Sequence, residues 1–353
     1  WTISRNSEPF SMIYTVNIRQ HDSPVTVEIG QTILEAALSQ GVPYPHGCRS
    51  GNCGACKSRL YAGDVEMSPY SEFALSDDEK ADGLVLACRS VPWEDAEIGW
   101  LGEEDFISHP LRKMACKVAA IDDLTHDIHR IQLEIVAGGP FAFTAGQYAS
   151  VTFDGQPARD YSMASLPKDP ALEFHIRRVP GGAVSNFVGD KLQPGDDVRV
   201  EGPFGSSWLR DAHRGPILAL AGGSGLAPVK STVEQALAND MLQDIHLYFG
   251  VRDERDLYLE DHFERLAENH RNLRFTAVLS EPSTGTARRK GFLHEAIGAD
   301  FGDLDGAKAY LAGPPPMVEA VTDTLKKLGL RAEDIHADAF YTEAEKSQLE
   351  KQE

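Results

Sequence analysis
Of the five cysteines in this 353-residue chain, four are spaced as ligands: Cys48, Cys53 and Cys56 fall in CRSGNCGAC, a C-x4-C-x2-C pattern, and Cys88 stands far downstream. Four thiolates at this spacing suit a [2Fe–2S] centre, a one-electron carrier. Ser50, Gly51, Asn52 and Gly54 are small, so backbone N–H groups there can turn toward sulfur with little steric resistance. Structural zinc draws on two C-x2-C pairs or on histidines, and this loop has one pair and two single cysteines. Disulfides belong to exported chains, and the first thirty residues lack a basic start followed by an apolar run, so reduced thiols are expected. Cys116 lies outside the pattern and reads as a small buried hydrophobe in a strand.

Three further stretches could do chemistry. RDYSMAS (159–165) and HIRRVPGGAVSNFV (175–188) offer an arginine, an aromatic ring, hydroxyls and a double glycine suited to a phosphate. PILALAGGSGLAPVKSTVEQAL (216–237) is an apolar run, a glycine loop and a helical pattern with Pro228 in the first turn, which aims N–H groups at a phosphate. Read as G-x-G-x-x-G it fails at its last position, where Pro228 replaces glycine.

The elements that must hold these groups are legible in part. Alternation over Tyr14–Ile18 and Val25–Ile29 predicts two strands, and Thr32 with Glu35 makes a capping-box spacing that opens a helix over Ile33–Gln40, ended near Gly41. Trp1–Ser11 reads as neither strand nor helix and precedes Met12, the expected natural start. Residues 95–112 are acidic and broken by Gly99, Gly102 and Pro110, and read as a linker, with a new domain from near Lys113. Short amphipathic runs such as Ile131–Ile135 and Val198–Val200 then predict an antiparallel barrel. Strand candidates at Ile245–Phe249, Phe275–Leu279, Lys308–Ala312 and Ile335–Ala339, with helices between, predict a parallel α/β sheet. The polar segment Thr342–Glu353 reads as a disordered tail.

Residues 12 to about 100 resemble a plant-type ferredoxin, matching all four ligand positions, which implies a β-grasp fold. The R-x-Y-S of Arg159–Ser162 followed by G-x-x-S at Gly182–Ser185 resembles the flavin signature of the ferredoxin–NADP reductase superfamily. That resemblance implies that Arg159 holds the FAD pyrophosphate, Tyr161 stacks on the flavin, and Ser162 sits beside the reactive ring nitrogen. It further implies that Gly181, Gly182 and Ser185 complete phosphate binding, and that His175, Ile176 and Arg177 line the ring edge through backbone groups. The superfamily carries G-G-x-G-x-x-P where this chain has Gly222, Gly223, Ser224, Gly225 and Pro228, and C-G-P where it has Ala312, Gly313 and Pro314, with Met317 following. These would bind NADH. The missing cysteine leaves hydride transfer to shape and to Ser162. Phe340 stands where relatives cover the other flavin face, so Tyr161, Ser162 and Phe340 are the expected catalytic residues, with Asp338 a possible proton partner.

In the order of its modules the chain resembles the reductase components of ring-hydroxylating dioxygenases, of the naphthalene dioxygenase reductase type. The expected architecture is multidomain, α+β and α/β: a [2Fe–2S] ferredoxin domain over 12–100, an antiparallel FAD-binding β-barrel over 113–212, a Rossmann-like NAD-binding domain over 213–341, and a tail over 342–353. The expected path runs from NADH to FAD to the cluster and out to a terminal Rieske non-haem iron oxygenase or an intermediate Rieske ferredoxin. Reductases of di-iron monooxygenases, of the phenol or methane hydroxylase type, share the module order, and a non-catalytic redox sensor or carrier is the alternative of another class. No haem motif or C-x-H Rieske pair is present to activate oxygen, so an aromatic substrate is expected to bind elsewhere.

Charge narrows the partners. The chain has 34 Lys and Arg against 54 Asp and Glu, a net charge of −20, which opposes nucleic acid and anionic lipid. Residues 12–110 hold 6 basic and 16 acidic side chains, a net of 6 − 16 = −10, read as a well-solvated surface or a docking face for a more basic protein. Asp253, Glu254 and Asp256 in GVRDERDLYLED disfavour a 2′-phosphate while Arg252 and Arg255 pull the other way, and NADH is the expected cofactor. No run of 18 apolar residues is present, so no membrane span and a cytoplasmic location are expected.

Overall fold
The computed structural model describes residues 13–47, 49–51, 54–71, 74–101, 109–283, 285–342 and 345. Two compact units divide the chain, residues 1–104 with 342–353, and residues 105–341.

In the first unit β1 (Ile13–Ile18) pairs antiparallel with β2 (Val25–Glu28), followed by α1 (Ile33–Ser39), β3 (Lys57–Ala62), β4 (Val65–Met67), α2 (Asp77–Ala81), β5 (Leu84–Leu86), β6 (Ser90–Pro92) and β7 (Ala96–Trp100). The main sheet has the order β2-β1-β7-β3-β5, and β4 pairs with β6. The capping box forms as expected: Thr32 Oγ1 accepts from the Glu35 N–H at 3.2 Å and Glu35 answers to the Thr32 N–H at 3.1 Å. The inward residues of β1 and β2 (Val16, Ile18, Val25, Val27) pack with Ile33, Leu34 and Ile98 in one core.

The expected linker at 95–112 is corrected here. Ala96–Trp100 is β7, central in the sheet and parallel to β1, with Ile98 fully buried. Half-buried Glu97 and buried Gly99 lie on the face opposite Ala96, Ile98 and Trp100, and Gly99 leaves room for Tyr61, whose ring would lie 3.1 Å from an added Cβ. Residues 102–108 lie outside the described residues.

The second unit begins with a six-stranded antiparallel sheet: β8 (Arg112–Asp123), β9 (Ile128–Ala137), β10 (Tyr148–Phe153), β11 (Arg159–Ser162), β12 (Ala171–Arg177), α3 (Ala183–Asp190) and β13 (Asp197–Phe204), in the order β11-β10-β13-β8-β9-β12. A bridge between Met163 and Phe174 joins the two edge strands, so the sheet closes as a barrel and leaves no open edge there. Cys116 lies in β8, buried as expected, and burial pushes its thiol up to about 11.

A parallel sheet follows, from β14 (Ile217–Gly222), α4 (Leu226–Ala238), β15 (Ile245–Val251), α5 (Glu260–Asn269), β16 (Leu273–Leu279), β17 (Arg289–Lys290), α6 (Leu293–Asp300), β18 (Lys308–Gly313), α7 (Pro315–Lys327) and β19 (Ile335–Ala339). Its order is β17-β16-β15-β14-β18-β19. The chain moves outward on one side of β14 and returns to the other at β18, which makes a crevice beyond their carboxyl ends, where ligands of open α/β sheets bind. All six residues of β14 are buried, as a strand covered on both faces requires.

Candidate functional site
Cys56 immediately precedes β3, and Cys88 follows β5 by two residues. Antiparallel pairing of the two strands (Lys57 opposite Leu86) and a 3.2 Å bond from the Ala87 N–H to the Cys56 carbonyl bring these distant positions side by side. Both side chains are buried. Left-handed backbone at Arg49, Gly51 and Gly54 (φ 56°, 76° and 72°) coils the loop before Cys56. An added Cβ at Gly54 would lie 2.9 Å from the Ala74 carbonyl oxygen, so that position admits only glycine without movement of the backbone. Two buried cysteines brought side by side beneath a loop of left-handed turns fit a cluster cradle. Cys48 and Cys53 lie outside the described residues.

On the barrel, Tyr161 is half-buried against its core, and burial raises its phenol, which stays protonated. Ser162 is buried, and its hydroxyl donates to Asp338 Oδ2 at 3.0 Å, joining the end of β11 to β19 of the parallel sheet. Arg159 is half-buried, and its Nη1 donates to its neighbour's carbonyl, Ala158 O, at 2.7 Å. Gly181 is left-handed (φ 75°), with nothing within 4 Å of an added Cβ, and Gly182 begins α3 without a side-chain cap. That leaves a helix N-terminus beside open space, a place suited to a phosphate. The Ser185 hydroxyl accepts from the Val179 N–H at 3.1 Å, so it shapes this loop from within.

His175 and Ile176 are buried, and the imidazole faces Glu173 and Tyr258. Arg177 donates through Nε to Asp127 Oδ2 at 2.9 Å, and its Nη1 would lie 3.4 Å from a Cβ at Gly223. Asp127, His126 and Asp256 come close enough to suggest a cation site, but Arg177 and Arg252 already neutralise the two carboxylates.

The glycine loop divides its labour. An added Cβ on Gly222 would strike Met317, and one on Gly225 would strike the Ala312 carbonyl, so these two glycines let β14 and α4 close against β18 and α7. Gly223 alone of the three is left-handed and open, apart from Arg177. Ser224 lies within the single turn of 3₁₀ helix at Gly223–Gly225, and Pro228 lies buried in the first turn of α4. Gly313 ends β18 with φ 152°, its carbonyl accepts from the Phe340 N–H at 2.9 Å, and Pro314 caps α7. Phe340 is half-buried beside this crevice. The expected dinucleotide residues thus gather at the carboxyl ends of β14, β18 and β19, where β11 delivers Ser162.

Sequence reasoning missed Glu173, Lys230 and Tyr258: Lys230 donates to the Ala164 carbonyl at 2.9 Å and lies 3.6 Å from Glu173, and Tyr258 meets His175 and the Gly223 carbonyl, contacts that only the tertiary structure makes. Around the carboxyl end of β15, Asp253 accepts from the N–H groups of Glu254 (2.8 Å) and Ser283 (3.0 Å), and the Ser283 bond above all holds its carboxyl low. Arg252 is paired with Asp256 and Arg288 with Glu260.

An antiparallel barrel sharing a crevice with a parallel sheet, in a chain whose other unit buries two ligand-type cysteines, defines a flavin- and nicotinamide-dependent iron–sulfur oxidoreductase. Three family models match: "2Fe-2S iron-sulfur cluster binding domain" over residues 17–92, "Oxidoreductase FAD-binding domain" over 115–208, and "Oxidoreductase NAD-binding domain" over 219–323. The chain belongs to the family of ferredoxin–NAD(P)+ reductase components that joins these three domains. It is 43% identical, over 90% of its length and 95% of the relative's, to the ferredoxin–NAD(P)+ reductase component of naphthalene 1,2-dioxygenase/salicylate 5-hydroxylase systems from Ralstonia. It is 37% identical, over 95% of its length and 96% of the relative's, to the reductase component of phenol 2-monooxygenase from a Pseudomonas strain. A solved cytochrome P-450 reductase of Amycolatopsis superposes with TM-score 0.76 at 37% identity, covering 93% of this chain and 98% of the other. Membership in an oxidoreductase family sets aside the non-catalytic alternative. Among the described residues no helix is long and apolar enough to cross a membrane.

Proposed function
We propose that this chain carries electrons from NADH through FAD and a [2Fe–2S] cluster to the terminal Rieske non-haem iron oxygenase, or an intermediate Rieske ferredoxin, of an aromatic-ring dioxygenase system in the cytoplasm. The observation that carries the reading is the bond from Ser162 to Asp338, which joins the strand bearing the flavin signature to the crevice where the glycine loop ends. A bound flavin accepts two electrons from a nicotinamide and releases them singly to an iron–sulfur carrier.

In this reading domains at 12–100, 113–212 and 213–341 divide the work, with 342–353 as a tail. Cys48, Cys53, Cys56 and Cys88 hold the cluster. Arg159 and the turn at Gly181–Ser185 hold the FAD pyrophosphate, Tyr161 packs one face of the ring and Phe340 the other, and the backbone of His175–Arg177 lines its edge. Gly222–Gly225, Pro228, Gly313, Pro314 and Met317 form the NADH crevice, and Ser162 orients the reacting centres. Asp253 supplies a fixed negative charge that disfavours a 2′-phosphate. Arg252 and Arg288 are already paired with carboxylates, which leaves exposed Arg255 as the weaker opposing attraction. The acid-rich segment 12–110 suits a more basic protein acceptor.

A second reading, reductase of a di-iron monooxygenase, is favoured by the 37% identity to the phenol 2-monooxygenase component. Reconstitution separates them: NADH-dependent product formation with a Rieske dioxygenase, and none with a di-iron hydroxylase, supports the first reading. The reverse pattern supports the second.

A further inference from the structure
A buried chain of polar groups runs from the barrel to the glycine loop. Glu173 and His175, two apart on β12, lie on one face of the strand. The His175 ring is fully buried, with Nε2 3.0 Å from Glu173 Oε1 and Nδ1 3.2 Å from Tyr258 Oη. Tyr258, 4% exposed, lies 3.3 Å through the same hydroxyl from the Gly223 carbonyl oxygen. Its ring is held edge-on by Phe249 and by His175, each with centroids 5.4 Å away.

Counting protons shows how the chain works. Burial alone would raise Glu173, but the His175 bond and the charge of Lys230 outweigh it and hold the carboxyl at about 2, so it only accepts. The Nε2 proton of His175 therefore faces Glu173. Burial keeps the imidazole neutral, which leaves a lone pair on Nδ1. The Tyr258 hydroxyl, with one proton, stands between two acceptors, Nδ1 and the Gly223 carbonyl, and donates to one at a time, while the His175 ring packed edge-on against it sets the place from which the hydroxyl meets Gly223. Gly223 is the open, left-handed glycine of the loop, so whatever fixes its carbonyl also fixes the direction of the next N–H groups.

We propose that Tyr258, oriented by His175 and Glu173, is a positioning residue that holds the Gly223 loop in the conformation that receives the NADH pyrophosphate. The proposal rests on the reading of Gly222–Gly225 as the dinucleotide loop. It ties β12, which would line the flavin edge, to the loop that would bind the reductant. None of the three side chains needs to touch NADH.

The test is steady-state NADH oxidation by the FAD-loaded full chain with ferricyanide as acceptor. Tyr258→Phe keeps the ring and removes the hydroxyl, and KM for NADH is expected to rise about five- to tenfold while kcat at saturating NADH falls less than about twofold. His175→Leu should raise KM similarly, and the double variant no further, because the two residues act as one unit. His175→Asn, whose amide can reach the Nδ1 position, should restore most of the affinity and remains readable if Tyr258→Phe fails to fold. An unchanged KM in Tyr258→Phe, or fully additive effects in the double variant, would overturn the positioning role alone. Absence of saturable NADH oxidation in the wild-type chain would overturn the loop assignment and the proposal with it.

Discussion

The Ser162 hydroxyl donates to Asp338 Oδ2 across 3.0 Å, from the last residue of a barrel strand to the penultimate residue of the outermost strand of the parallel sheet. Neither residue is near the other in sequence, and each stands at the end of its strand facing the same crevice. Removal of the hydroxyl takes this donor from Asp338 at the place where, in the proposed reading, nicotinamide and flavin meet. Ser162→Ala is expected to slow flavin reduction by NADH by about tenfold or more in anaerobic stopped-flow measurements, with FAD content unchanged, whereas Ser162→Thr should lose less than about threefold. Equal losses in the two variants would assign the effect to shape and not to the hydroxyl.

Cys88 reaches the Cys56 loop through the pairing of β3 with β5. Cys88→Ala should abolish cluster absorbance while NADH-dependent ferricyanide reduction keeps at least about half its rate, because a dye takes electrons directly from flavin. Loss of the dye reaction with FAD still bound would contradict the order of carriers.

In the proposed reading, the choice of NADH over NADPH follows from fixed charge. Asp253 is held ionised by two backbone N–H groups, and Arg252 and Arg288 are engaged by carboxylates. The kcat/KM for NADH should exceed that for NADPH by about tenfold or more, and Asp253→Ala should narrow the gap. Equal values in the wild type would mean that an arginine here holds the 2′-phosphate.

Much of this was legible because it is local. The cysteine spacing, the capping box at Thr32 and Glu35, and the apolar run of β14 each leave a mark in residues adjacent in sequence. What was misread depended on tertiary packing. Ala96–Trp100 looked like a linker because Glu97 and Gly99 interrupt a short alternation, yet the strand is central in its sheet. The two-residue β17 is too short to carry a pattern. Gly222 and Gly225 have the spacing of a phosphate cradle, and their missing side chains also make room for Met317 and for the Ala312 carbonyl, a second need that shows only when β18 and α7 dock. Tyr258 gave no signal at all, since its partners come from β12 and the glycine loop.

Acid stability should carry the mark of Glu173. Its folded value of about 2 lies below the ordinary glutamate value of about 4.3, so the stabilisation is full at neutral pH and is lost as pH falls through that window. Urea unfolding should show the wild type losing about 2 kcal/mol more than Glu173→Gln between about pH 6 and about pH 3. Parallel acid limbs for the two proteins would show that the Glu173 carboxylate gains nothing on folding.

The most direct test of the account is an anaerobic titration of the purified chain with NADH, following flavin absorbance together with low-temperature electron spin resonance. Bleaching of the flavin with the appearance of a reduced [2Fe–2S] signal is the predicted result, since it requires the crevice, the barrel and the cysteine loop to work in one line. Flavin reduction with no cluster signal would contradict it, and would mean that the loop from Cys48 to Cys56 does not carry electrons onward.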